Sequence, residues 1–193
     1  VERSRGLGDV YKRQKPASNA RLRVLYVGDG LDPSGFQQEL TLQLSELGTQ
    51  VLQEIAVTQV SPVGISYTEY LTARCFDYDL LILSPDWCPE GIGQAVFSRI
   101  PPALLGSFPS PDVYTEVVEK SDLPYAFVLP ETSPFYSFSS DRGRPCLLFP
   151  SPESVNLDGK NKKGNLGDDA ALQAMRYLLG CLLYTSDAAD DLI

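Results

Sequence analysis

The sequence predicts an α/β fold, a three-layer α/β/α sandwich around a mostly parallel five-stranded sheet. Three observations carry that expectation. Apolar, β-prone runs alternate with segments of helical periodicity along the chain. The run Leu80-Leu81-Ile82-Leu83 is continuously apolar between Asp79 and Ser84, the pattern of a strand buried on both faces of a parallel sheet. The first apolar run also passes through a short glycine-containing loop into a helix signal, which is how an α/β unit opens.

The elements follow in order. Arg21 to Val27 is apolar and β-prone and stops at Gly28. After the loop Gly28 to Pro33, Ser34 and Gln37 have capping-box spacing, so the serine hydroxyl and the glutamine amide can satisfy free N–H groups of a helix start. Phe36, Leu40, Leu44 and Leu47 repeat at helical spacing, and Gly48 follows as a C-cap. A second strand is predicted within Val51 to Val60, a loop over Ser61 to Ser66, and a short helix over Tyr67 to Cys75. Asp79 to Ser84 is the third strand, and a Pro- and Gly-rich region from Pro85 to Pro111 contains a helix within Ile92 to Ile100. Pro111 to Lys120 reads as another helix, and Tyr125 to Leu129 and Pro145 to Phe149 as the last two strands. The closing helix gathers Ala171, Leu172, Met175, Leu178 and Leu179 on one face, with Asp168 and Asp169 at its positive end.

The two ends carry a different signal. Asp9-Val10-Tyr11-Lys12-Arg13-Gln14 can be written as a DNA string whose complement, shifted by one base, encodes Cys181-Leu182-Leu183-Tyr184-Thr185-Ser186. Both look like translations of the inverted repeat that a transposase adds during sequencing-library preparation. Residues 1–14 and 181–193 are therefore expected to derive from adapters, and 15–180 to be a single α/β domain from a longer reading frame. That segment keeps 12 basic and 20 acidic residues, a net charge of −8, and is long enough for one well-buried core.

An acidic chain without a basic stripe is a poor match for nucleic acid or anionic membrane, and no apolar run is long enough to span a bilayer. Compartment and oligomeric state leave no mark. Cys75 and Cys146 lie beside apolar stretches and are expected in the core, whereas Cys88 falls in a polar loop. With no histidine in the chain and no close cysteine pairs, neither a metal site nor a cofactor is expected. The same absence removes the imidazole that Ser–His and Cys–His mechanisms need near neutral pH.

Ligands of such sheets bind at the carboxyl ends of the strands, which points to Gly28 to Ser34, Ser61 to Ser66, Ser84 to Gly91, Pro130 to Tyr136 and Pro150 to Gly167. Gly28-Asp29-Gly30 joins strand to helix but lacks a Walker pattern, and Asp29 and Asp32 would repel phosphate. The order Val24-Leu25-Tyr26-Val27-Gly28-Asp29-Gly30 resembles the first block of the SGNH/GDSL hydrolases. Ile55-Ala56-Val57 through Gly64 is similar to their second block, Tyr78 to Leu83 to the strand before the third, and Asp158-Gly159-Lys160-Asn161 to the last. The resemblance implies scaffold roles for Gly28, Asp29, Gly64 and Asp158. Gly30, however, stands where the nucleophilic serine belongs, Ser84-Pro85-Asp86-Trp87 lacks the oxyanion asparagine, and Asn161 or Lys160 replaces the histidine.

The expectation is thus a hydrolase-like domain without catalytic residues, binding a carbohydrate or ester. Candidate ligand contacts are Gly28, Asp29, Gly30, Gly64, Asp86, Trp87, Asp158 and Asn161, lining an acidic cleft with Trp87 on its wall. The alternative is a flavodoxin-like domain binding FMN, with Trp87 and Phe135 or Tyr136 placed to stack on the flavin; a receiver-like domain is a weaker third.

Overall fold

The structure is a computed structural model that describes residues 21–46, 54–61, 67–141, 143–151, 154, 157 and 170–181. Its strands are β1 (Arg21–Val27), β2 (Glu54–Val60), β3 (Leu80–Leu83), β4 (Val113–Val118), β5 (Ser121–Val128) and β6 (Leu147–Pro150). Its α-helices are α1 (Pro33–Glu46), α2 (Tyr67–Arg74), α3 (Ile92–Val96), α4 (Pro102–Leu105) and α5 (Ala170–Leu178). Gly64, Asp158, Asn161, Leu47, Asp168 and Asp169 lie outside the described residues.

All six strands form one sheet in the order β2-β1-β3-β6-β5-β4. β1 is parallel to both β2 and β3, but β6 is antiparallel to β3 and to β5, and β4 is antiparallel to β5. The fold is α/β as expected, whereas the sheet is mixed and six-stranded rather than mostly parallel and five-stranded. The additional strand is β4, in the segment that reads as a helix. Val113, Val117 and Val118 mimic helical spacing, but the β-branched run pairs with β5 instead. Val118 opposes Ser121, so Glu119 and Lys120 alone make the turn, and both have left-handed backbones (φ 50° and 70°).

That geometry is a two-residue hairpin of the I′ kind, which Asn-Gly fills without strain and Glu-Lys does not. The double variant Glu119→Asn, Lys120→Gly should gain about 1–2 kcal/mol of stability. Calorimetry would read it as a melting temperature raised by roughly 2–8 °C; an unchanged or lower value would count against the turn. Pro124 in β5 sits beside the register shift between Tyr114 and Thr115, where its missing N–H disturbs the ladder least.

Strand residues alternate between two apolar clusters. Leu22, Val24, Tyr26, Leu80, Ile82, Phe127 and Leu148 pack with Phe36, Leu40 and Leu44 of α1 and Ala171, Ala174, Met175 and Leu178 of α5. Leu25, Val27, Leu81, Leu83, Ala126 and Phe149 face the other way, against Leu71 of α2 and Ile92 of α3. Each large side chain so buried contributes about 1.5–3 kcal/mol, which explains why the α1 stripe holds as predicted. Its cap differs: Asp32, not Ser34, accepts the N–H of Gly35 (3.1 Å). The Gln37 side chain instead accepts from the Val57 N–H (3.0 Å), fastening α1 to β2.

α5 ends in a Schellman motif. Gly180 (φ 79°) donates to Tyr177 O at 3.2 Å and Cys181 donates to Arg176 O at 2.8 Å. Cys75 and Cys146 are buried, as expected of core residues, and Cys88 is half-buried.

Candidate functional site

The carboxyl ends of β1, β3 and β5 share one edge of the sheet, and the amino end of antiparallel β6 joins them. β1 has β2 on one side and β3 on the other, so the β1–β3 boundary is the switch point where an α/β sheet opens a crevice. A carboxylate occupies that boundary. Asp141 Oδ2 accepts from the Tyr26 hydroxyl at 2.6 Å, the Ser139 hydroxyl at 3.1 Å and the Cys146 thiol at 3.3 Å. Its Oδ1 accepts from the Ser84 hydroxyl at 3.0 Å, and its own N–H donates to Ser139 Oγ at 3.1 Å. Tyr26, Ser84 and Cys146 come from β1, the end of β3 and the approach to β6, so one side chain ties three segments together.

Burial opposes the charge on Asp141, but the donors of Tyr26, Cys146, Ser84 and Ser139 outweigh it and hold the carboxyl below its ordinary range. The partners respond oppositely. Burial, with Asp141 beside them, pushes the Tyr26 phenol and the Cys146 thiol upward. Burial and Glu116 push the Cys88 thiol up to about 11. A thiol held protonated is not a nucleophile, and a carboxylate of lowered basicity is a weak general base.

Beside Asp141 opens a cleft of about 400 Å³. Val128, Leu129, Pro130, Tyr136 and Pro145 supply its apolar wall, and Asp112, Glu131 and Asp141 its carboxylates. Arg144 also lines it and forms an ion pair with Asp86 at the surface. Burial pushes the Tyr136 phenol up to about 12, so its hydroxyl keeps its proton at neutral pH.

The predicted site residues are only partly brought together. Gly28 is buried where a Cβ would lie 2.6 Å from the Tyr26 hydroxyl and 2.9 Å from Ser84 Cβ, directly over the Asp141 network. Gly30 accepts the Ser140 N–H at 2.6 Å, and a Cβ there would overlap the Ser140 hydroxyl. A serine at position 30 therefore needs Ser140 to turn away. Asp29 is exposed on this loop, and Asp86 reaches the cleft through Arg144. Trp87 does not line the cleft: it packs near Tyr67 (ring centroids 6.4 Å apart), against the cluster on the other face from Tyr136. Phe135 is wholly buried against Phe36 and Tyr26.

β6 runs backwards, so its carboxyl end at Pro150 pairs with Leu80, at the opposite edge of the sheet. The segment that follows Pro150 thus leaves from the wrong edge for the expected cleft. Sequence reasoning missed Asp141, Asp112 and Arg144, whereas Glu131 and Tyr136 fall in the Pro130 to Tyr136 loop expected at this edge, Tyr136 only as a flavin-stacking aromatic of the alternative. A signal was present in the stretch between Val128 and Leu147, longer than most connections and rich in hydroxyls and aromatics. Among the described residues no group of three or more His, Cys, Asp or Glu is placed to hold a metal ion, and no helix is long and apolar enough to cross a membrane. The chain matches no protein-family model, no curated protein and no solved structure.

Proposed function

We propose that this domain binds, without transforming, a small neutral ligand rich in hydroxyl groups, a carbohydrate or polyol or an ester that is left intact. In this reading it is an SGNH/GDSL-like three-layer module that lacks the nucleophile and the histidine. The observation that carries it is the charged Asp141 carboxylate at the switch point, bordering a cleft that pairs carboxylate acceptors with an apolar wall. Sugar hydroxyls donate to such carboxylates while their C–H faces cover Tyr136 and the prolines. The chain has no histidine, and the thiols of Cys88 and Cys146 are pushed upward, which favours binding over turnover. Three carboxylates disfavour the phosphate of FMN.

Calorimetric titration with glucose, mannose, xylose, N-acetylglucosamine and myo-inositol tests it. Saturable binding of at least one is expected, weakened about tenfold by Asp112→Asn or Glu131→Gln, both at exposed positions. Because Trp87 lies on the other face, its fluorescence should stay unchanged through the titration. Micromolar binding of FMN, or saturable hydrolysis of p-nitrophenyl acetate above a heat-inactivated control, would overturn the reading.

A further inference from the structure

The cleft opens where the β5–β6 ladder stops, and the manner of stopping is unusual. The paired register Phe127–Leu148 and Val128–Leu147 brings Leu129 opposite Cys146 as the next pair. Two neighbours in that position of an antiparallel ladder normally exchange two direct N–H···O bonds. Here only one is direct, from Leu129 N–H to Cys146 O at 3.0 Å. The reciprocal bond is relayed: Cys146 N–H donates to the Tyr136 hydroxyl at 2.9 Å, and that hydroxyl donates to Leu129 O at 3.0 Å. Immediately beyond stand Pro130 and Pro145, one on each strand, in what would be the next, non-hydrogen-bonded pair of the alternation. Both prolines and Tyr136 line the cleft.

We propose that the Tyr136 hydroxyl is a wedge that holds the ends of β5 and β6 apart and so keeps the cleft open for its ligand. Tyr136 is a positioning residue in this scheme: its oxygen uses both its donor and its acceptor capacity on the two strands. Removing that single atom lets Cys146 N–H pair directly with Leu129 O, and the apolar walls close. The proposal rests on the reading of the cleft as the ligand site, but the geometry of the wedge can be measured without any ligand.

The variant Tyr136→Phe keeps the ring and deletes only the oxygen. Its Cys146 amide should exchange with solvent about tenfold more slowly than in the wild type, since a direct ladder bond replaces a relayed one. The sugar that binds the wild-type protein best should bind the variant at least about tenfold more weakly. A role in packing alone would leave both unchanged, because the ring remains, and that result overturns the wedge. Faster exchange of the Cys146 amide overturns it as well, since the strands would then have failed to close. Slower exchange in the variant with no sugar bound by either protein upholds the wedge and removes the carbohydrate reading. If the variant does not fold, the wild-type protein decides by NMR: a through-space contact between the Cys146 amide and the Tyr136 ring ε protons is expected, and its absence overturns the proposal.

Discussion

Replacing Asp141 by asparagine should lower the stability of the domain by about 2–4 kcal/mol at neutral pH. The carboxylate accepts from three hydroxyls and a thiol, and an amide offers one acceptor oxygen and two N–H groups to the same four donors. At least one of Tyr26, Ser84, Ser139 and Cys146 then loses its acceptor where water does not easily replace it. The pH dependence follows in sign from the direction of the shift. A carboxyl held lower in the folded state than in the unfolded chain adds stability above its unfolded value of about 4. That contribution disappears as the pH falls through the lower folded value. Between roughly pH 5 and 2 the melting temperature of the wild-type protein should therefore fall more steeply than that of Asp141→Asn. Glu116, also held below its usual range, keeps some acid sensitivity in both. Parallel melting curves across that window would refute the assignment of Asp141 as a charged hub.

Gly93→Ala should cost about 3 kcal/mol, a melting temperature lowered by roughly 6–12 °C. Gly93 lies at the start of α3, pressed against β5. A Cβ there would stand 2.5 Å from Tyr125 Cγ, 2.8 Å from Tyr125 Cβ and 2.8 Å from Glu116 Oε2. The tyrosine atoms are at the root of a buried side chain and cannot swing aside, so α3 has to lift. Lifting it breaks the grip of the buried Glu116 carboxylate, which accepts the N–H groups of Gly93 at 2.8 Å and Gln94 at 3.0 Å and the Tyr114 hydroxyl at 2.8 Å. Gly91→Ala is the control: its backbone is left-handed (φ 80°) but nothing lies within 4 Å of the added atom, so only about 1 kcal/mol of backbone strain is expected. Equal melting temperatures for the two variants would show that the contact at Gly93 is not tight.

The parallel half of the sheet was legible because its signals are local. Continuous apolar runs mark β1 and β3, and the Phe36, Leu40, Leu44 stripe marks α1. The antiparallel half was less so. β4 shares its i, i+4 valines with a helix, and its turn is a Glu-Lys pair in place of the residues that usually announce a hairpin. Strand direction is decided by long-range pairing, and nothing within Pro145 to Phe149 says which way that strand will run. The site inherited the error. With β6 taken as parallel, the loop after Pro150 was placed at the ligand edge, whereas the loop before it is what arrives there. Gly28 and Gly30 stood out in the sequence because a strand-to-helix loop is recognisable alone. Asp141 gains its meaning only from Tyr26 and Ser84, more than fifty residues away along the chain.

The reversal of β6 also decides how the cleft is encoded. β5 delivers the chain to the edge where the cleft opens and β6 takes it away from the same edge, so apart from Asp112 every residue lining the cleft falls between Val128 and Pro145. A pocket assembled from the ends of many parallel strands changes one separated position at a time. This one is written as a single phrase of the gene, held at both ends by strands that stay in register. Exchanging that phrase for another between Phe127 and Cys146 would replace the cleft lining almost whole, provided the new phrase keeps Leu129 and Phe135, which belong to the apolar cluster under α1, and Asp141, which ties β1, β3 and β6 together.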